Sequence, residues 1–369
     1  MRGTILRGTA VWGTMLLAAG FLPAQDKDAN MPRLENARVE KRTLTAPLTA
    51  EVARWTEQAA QPHWLGYAVA QVPGDREVCC ENHDGSSRNQ DCGICRLEGG
   101  DHGVNMTSRD NTVKLEGPHN IAILLRAENK RIMKIRVVSE ECTLDAGGLP
   151  LVWLTGAKPA ESVDLLSGYV RGAEFEEHDG RSLGHGALTA IAMHADASAD
   201  RALESFARPE EREPLRKQTS FWLGEARGKA GLVVLEKMAK SDPSTDVRAQ
   251  VAFALSVSRE PGALDEMIRM AKEDESTHVR GQALFWLAQK AGQKAVGAIT
   301  GAIEHDPDTD VKKKAVFALS QLPKDEGVPK LIEVAQNNRN PAVRKQAMFW
   351  LGQSNDPRAL AFFEKVLSQ

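Results

Sequence analysis

Val247-Arg248-Ala249-Gln250-Val251-Ala252-Phe253-Ala254-Leu255 decides the fold of this chain, because its pattern returns every 32 residues. Leu215, Val247, Val279, Val311 and Val343 each open a copy. Each copy carries Phe six positions later, at Phe221, Phe253, Phe285, Phe317 and Phe349. Each then carries Leu two positions further on, at Leu223, Leu255, Leu287, Leu319 and Leu351, with no insertion or deletion between copies. A fixed period of this length means one supersecondary unit per repeat, stacked so that neighbours bury faces that a single unit would leave in water.

Inside a copy, Val343, Ala347 and Leu351 keep a four-residue spacing and share one helical face. After Gly352 and the turn Asn355-Asp356-Pro357, a second apolar set follows at Leu360, Phe363 and Leu367. Each repeat is therefore helix, turn, helix. Ser241-Asp242-Pro243, His305-Asp306-Pro307 and Asn340-Pro341 punctuate the return to the next copy, and Asp246 and Asp310 are expected as N-caps. One step further back, Leu183, Ala187, Ile191 and Leu203 keep the pattern, while Thr189 and Ala190 replace its aromatics. Such a degenerate copy suits a terminal cap or a junction. The expected array is thus 183–369, divided as 183–214, 215–246, 247–278, 279–310, 311–342 and 343–369.

The 247–255 stretch and the Asp-Pro turns resemble the short HEAT-type repeats of phycobilisome bilin lyases, over Leu183 to Gln369. The resemblance implies an all-α superhelical solenoid, a fold that serves scaffolds, chaperone-like factors and a few enzymes. Arg216, Arg248, Arg280, Lys312 and Arg344 resemble the basic ladder of such arrays. In the family that ladder pairs with acidic turn residues of neighbouring repeats, which here makes Asp242, Asp274 and Asp306 the mates. A basic binding stripe is the other reading.

Two further positions of the repeat carry aromatics. Trp222, Ala254, Trp286, Ala318 and Trp350 alternate large with small, as interdigitating core layers do. The Phe before each lies about 145° from the mean direction of the apolar face. It either packs sideways against the next repeat or lines an outer ridge. Gln218, Gln250, Gln282 and Gln346, with Gln289, Gln321 and Gln353, fall on the same side. A Gln-Phe-Gln stripe is a candidate recognition surface, since extended solenoid faces bind partners and aromatics concentrate interface energy.

Upstream the character changes. Arg2 and Arg7 precede an apolar stretch from Ala10 to Leu22, and Leu22-Pro23-Ala24 offers a small-residue cleavage site. Residues 1–24 are expected to be a signal peptide, which makes the mature chain secreted or periplasmic with no membrane span. Residues 25–60 read as a flexible polar leader with one short helix. Leu65 to Val72, Ile121 to Leu125 and Ile132 to Val138 are strand signals, with Glu128-Asn129-Lys130 suited to a hairpin turn. They define a small β-rich domain at 61–155, in which Asn82 to Asn111 reads as loop and Asp145-Ala146-Gly147-Gly148 as a turn. A helical linker occupies 156–182, with Glu176-Glu177-His178-Asp179 as a solvated stretch. The fold class is α+β: a cysteine-containing β-rich domain, then the all-α solenoid.

All five cysteines, Cys79, Cys80, Cys92, Cys95 and Cys142, lie in the β-rich domain. Disulfides fit an exported chain; zinc with His83 or His102 and a redox-active CxxC are the alternatives. An odd count leaves one thiol over or makes an external bridge. A net charge of -3 and a pI near 6.3 argue against nucleic acid as a partner. No nucleophile, base and orienter group together, and His185 and His194 suit surface or capping roles. Deoxyhypusine hydroxylase, a relative of this repeat type, holds two irons through His-Glu dipeptides. No His-Glu dipeptide occurs here; Glu177-His178 and Glu304-His305 have the reverse order. A non-catalytic binding protein without a cofactor, whose partner is another exported or envelope protein, is favoured over an enzyme.

Overall fold

In the computed structural model, the described residues are 30–74, 77–80, 94–98, 104–107, 119–173, 175 and 182–368. The expected signal peptide, Cys92 and the 176–179 stretch lie outside them.

The first strands and helices are β1 (Arg33–Glu35), β2 (Arg38–Thr43), α1 (Leu48–Gln58), β3 (His63–Ala70), β4 (Glu77–Cys80), β5 (Ile94–Arg96) and β6 (Val104–Thr107). They are followed by β7 (Asn120–Glu128), β8 (Arg131–Ser139), β9 (Thr143–Asp145), β10 (Pro150–Thr155) and α2 (Pro159–Gly172). The main sheet has the order β2-β10-β3-β7-β8. β10 runs parallel to both β2 and β3, and β3, β7 and β8 are antiparallel. β7 and β8 meet through Asn129 and Lys130, both at positive φ (52° and 62°), as a two-residue hairpin turn requires.

The inner strands β3, β7 and β10 are buried on both faces, which is why they carry near-continuous apolar runs. Leu65, Tyr67, Ile121, Ile123, Val152 and Leu154 face the large core shared with the helices. Trp64, Leu124, Leu151 and Trp153 face a smaller core with Cys95, Leu97, Cys142 and Leu144. A short parallel sheet, β1-β9-β5, supplies part of that second core. Gly66 makes room there, since a Cβ at this position would lie 2.7 Å from the Trp153 ring.

Two expectations are corrected. The supposed flexible leader contains β1 and β2, paired in parallel with β9 and β10. β2 is an edge strand whose six side chains are all exposed, so backbone hydrogen bonds hold it and no apolar pattern announces it. The segment read as loop contains β5 and β6, β6 being paired with β4; at three and four residues they are too short to show a period.

The array opens with α3 (Leu183–Met193) and α4 (Ala197–Phe206), the degenerate copy. Five helix pairs follow: α5 (Glu213–Ala226) with α6 (Gly228–Ser241), α7 (Thr245–Val257) with α8 (Gly262–Glu273), and α9 (Thr277–Ala291) with α10 (Gln293–His305). The last two are α11 (Thr309–Ser320) with α12 (Lys324–Asn337), and α13 (Pro341–Gln353) with α14 (Pro357–Leu367). Ser244 and Asp308, not Asp246 and Asp310, are the N-caps of α7 and α11. Ser244 and Asp308 keep extended backbone and their side-chain oxygens accept from N–H groups of the first turn. Asp246 and Asp310 sit instead in the first turn, where the helix dipole favours them.

α3 joins the two regions. It lies against β8 so closely that a Cβ on Gly186 would come within 2.6 Å of the Ile135 carbonyl oxygen. Backbone bonds from Val72 N to Met193 O (2.8 Å) and from Ala195 N to Ala70 O (2.9 Å) extend β3 onto the array. One apolar core then runs from the sheet to Phe362.

Candidate interaction face of the repeat array

The first helices of the repeats, α5, α7, α9, α11 and α13, pack along much more of their length than the second helices do. A stack that is tighter in one layer curves toward that layer. The first helices therefore line the concave face.

The basic ladder fixes how these layers stack. Arg216 donates to Asp242 through Nε (2.8 Å) and Nη2 (3.0 Å). Arg248 does the same to Asp274 (2.9 and 3.1 Å), and Arg280 to Asp306 (2.8 and 3.1 Å). Each aspartate also accepts from the backbone N–H two residues on, at Ser244, Ser276 and Asp308. Arg248 and Arg280 donate through Nη1 to the backbone carbonyls of Asp242 and Asp274 (both 2.8 Å), so each rung is tied to the one before. All six side chains are buried, so these three arginines do not form a solvent-facing stripe. The Asp274 hydrogen bond raises the Arg248 pKa further, and Asp306 does so for Arg280. The remaining basic residues differ: Lys312 Nζ donates to the Glu304 carbonyl (2.8 Å), and Arg344 to the carbonyls of Asn338 and Arg339.

The aromatics form one connected spine along the concave face. Phe221 stacks on Phe253 (6.0 Å, 11°), Phe253 meets Trp286 (4.7 Å), and Trp286 meets Phe285 (4.9 Å). Phe285 then stacks on Phe317 (5.9 Å, 5°), Phe317 meets Trp350 (4.9 Å), and Trp350 meets Phe349 (5.0 Å). This arrangement explains the two-repeat alternation. Where Ala254 or Ala318 leaves space, one Phe stacks on the next; where Trp286 or Trp350 stands, the indole fills the gap instead. Phe221, Phe253, Phe285 and Phe317 are half-buried between repeats, and Phe349 at the chain's end is 54% exposed. Sideways packing and a surface edge thus coexist in the same rings. Trp222 is buried, whereas Trp286 and Trp350 are half-buried: they pack against the core and also reach the face.

A groove of about 410 Å³ opens on this face across the first three intact repeats. It is lined by the half-buried rings of Phe253 and Trp286, the half-exposed Gln250, Gln282 and Lys217, and the exposed Asp246 and His278. Gln346 lies at the equivalent place two repeats on and is likewise half-exposed. Apolar rings, amide donors and acceptors, and sparse charge are what a polypeptide ligand needs.

One other constellation has catalytic residue types. Tyr67 Oη lies 2.9 Å from Ser162 Oγ, which lies 2.9 Å from His194 Nε2; His194 Nδ1 is 2.6 Å from the Ala190 carbonyl. The carbonyl fixes the proton on Nδ1, so Nε2 accepts from Ser162, and Ser162 accepts from Tyr67. Burial holds the His194 pKa down to about 4 and pushes that of Tyr67 up. All three side chains are fully buried, and no substrate reaches them. They bond sheet, α2 and α3 together. Arg227 continues the junction, donating to the carbonyls of Ala192 and His194 and pairing with Asp200. His194 is therefore buried rather than on the surface, but it does cap, as the C-cap residue of α3; His185 bonds the N-cap residue Ser182 and packs on Phe175. Sequence reasoning missed this network because its members are far apart in the chain and each is unremarkable alone.

Cys79 and Cys80 lie on β4, and Cys95 is buried in β5. Cys142 is buried as a thiol whose Sγ donates to the Val78 carbonyl (3.4 Å). Among the described residues, no group of three or more His, Cys, Asp or Glu is placed to hold a metal ion, and no helix is long and apolar enough to cross a membrane.

Residues 232–314 and 298–369 match the model of HEAT repeats. No curated protein sequence matches the chain. Among solved structures, the CpcE–CpcF complex of phycocyanin lyase from a Nostoc species is 23% identical with a TM-score of 0.32, covering 42% of this chain and 99% of that one. Human deoxyhypusine hydroxylase is 16% identical with a TM-score of 0.29, covering 56% and 90%. YibA of E. coli is 20% identical with a TM-score of 0.36, covering 58% and 81%. The C-terminal array is a HEAT-repeat solenoid.

Proposed function

We propose that this chain is an exported, non-catalytic scaffold that captures another protein along the concave face of its HEAT array. The groove lined by Gln250, Gln282, Phe253 and Trp286 carries the reading. Its aromatic rings are already ordered by stacking between repeats, so binding orders few side chains. The enzyme alternative has little to stand on: the Ser162–His194 pair is sealed, and binding by the groove calls on no cofactor.

Capture from native envelope extract tests the reading. Gln250→Glu with Gln282→Glu changes only half-exposed side chains, so it should abolish capture while leaving the thermal midpoint within about 2 °C. Undiminished capture by a folded double variant would sink the groove as the binding surface. Export rests on Arg2, Arg7, the apolar stretch to Leu22 and the Ala24 site; the mature protein should begin after Ala24 and run in intact mass with up to two disulfides. A mature N-terminus at Met1, or a mass unchanged on reduction, contradicts this part.

A further inference from the structure

The ladder fails at its fourth rung, and the failure leaves a cavity. At the position of Asp242, Asp274 and Asp306 stands Asn338, and its basic counterpart is Lys312 rather than arginine. Asn338 Oδ1 still accepts from the Asn340 N–H (2.9 Å), just as one oxygen of each aspartate does in the other turns. Its second branch is therefore Nδ2, a donor, where each aspartate offers Oδ2 to a guanidinium. Two donors face each other across this rung. Lys312 turns away to the Glu304 carbonyl, and a cavity of about 580 Å³ opens, lined by Lys312, Asn337, Asn338, Arg339 and Asn340 among others.

Charge at the cavity is unbalanced in the same sense. Of its two acids, Glu333 is paired with Lys330 (2.8 Å) and Glu304 lies 3.4 Å from the His305 ring, against the three cations Lys312, Lys330 and Arg339. Lys312 and Arg339 have no acidic partner among the described residues. The cavity thus presents two cations and an amide donor, and the acceptor that closes the other three rungs is missing.

We propose that the fourth rung is a carboxylate-binding site, in which a ligand carboxylate takes the place that Asp242, Asp274 and Asp306 fill elsewhere. Asn338 Nδ2, Lys312 and Arg339 donate to it. The carboxylate is either free, on a small acid, or carried by an acidic peptide.

Calorimetric titration of the full chain at low ionic strength tests this with malonate, a blocked Asp-Glu-Asp peptide and inorganic phosphate as probes. Asn338→Asp closes the rung with a built-in carboxylate; Lys312→Met removes a donor. Saturable binding of malonate or of the peptide is expected, with the tighter of the two naming the source. Both variants should weaken it by at least about tenfold, while Asn338→Asp keeps or raises the thermal midpoint. Equal binding by wild type and Asn338→Asp overturns the proposal, as does the absence of binding by either carboxylate or a preference for phosphate over both.

Discussion

The sheet region and the repeat array are held together over very different distances along the chain. In the array, a buried rung such as Arg248–Asp274 spans 26 residues, and every repeat touches only its neighbours. In the sheet, β2 finds β10 more than a hundred residues away, pairing Arg38 with Pro150, and β1 pairs Arg33 with Thr143. An array of this kind gains stability repeat by repeat, whereas the sheet forms only when both ends of its segment have met. The two regimes meet at α3, where Gly186 and the Tyr67–Ser162–His194 network sit.

The sharpest test of that difference is Asp274→Ala. It strands the buried Arg248 guanidinium and should cost about 3–5 kcal/mol. Hydrogen exchange should show protection falling in α7–α10 and holding in β3 and β7; an equal loss in the sheet would erase the distinction between the regions.

Acid probes the junction next. The folded chain keeps His194 neutral with a pKa of about 4, against 6.5 when unfolded. Between those values the unfolded state binds the extra proton, so stability rises with pH there. It is fully present above about pH 6.5 and falls by up to about 3 kcal/mol as pH drops toward 4. His194→Gln should flatten this part of the curve in chemical denaturation, and an unchanged slope would remove His194 as the cause. Asp196 and Arg227, which lie beside the ring and act on it in opposite senses, are the controls.

Gly186→Ala places a methyl against the Ile135 carbonyl and should cost about 2 kcal/mol. Calorimetry should then resolve two melting transitions where a single merged one is expected of the parent; one unsplit transition in the variant would mean that α3 is not what couples the regions. The smallest effect belongs to Phe349→Ala. This ring is half-exposed and, among the described residues, has Trp350 as its one aromatic neighbour, so its loss should cost under about 1 kcal/mol. A cost like that of a buried core ring would mean that the spine is rigid to its end.

The same contrast explains what the sequence made legible. The repeat array's register and helix pairs follow from one local period, but its N-caps do not: Ser244 and Asp308 cap where Asp246 and Asp310 were expected. Its ladder mates, Asp242, Asp274 and Asp306, came with the family resemblance rather than from the period itself. The continuous aromatic spine was harder: whether Phe253 stacks on Phe221 or points outward depends on Ala254 and Trp286 in adjacent repeats at once. In the β region, β3, β7 and β8 announced themselves by apolar runs. β2 did not, because an edge strand with every side chain in solvent leaves no hydrophobic trace. Ser162 and His194 joined only when α2 and α3 packed, a contact that no spacing encodes.

The proposed working surface is the concave, first-helix face. A photo-crosslinking amino acid placed at Gln282, in the groove, and at Val233, 66% exposed on second helix α6, compares the two faces in the native cell. A discrete crosslinked partner is expected from position 282 and none from position 233. Crosslinking from position 233 alone, or equally from both, would contradict this.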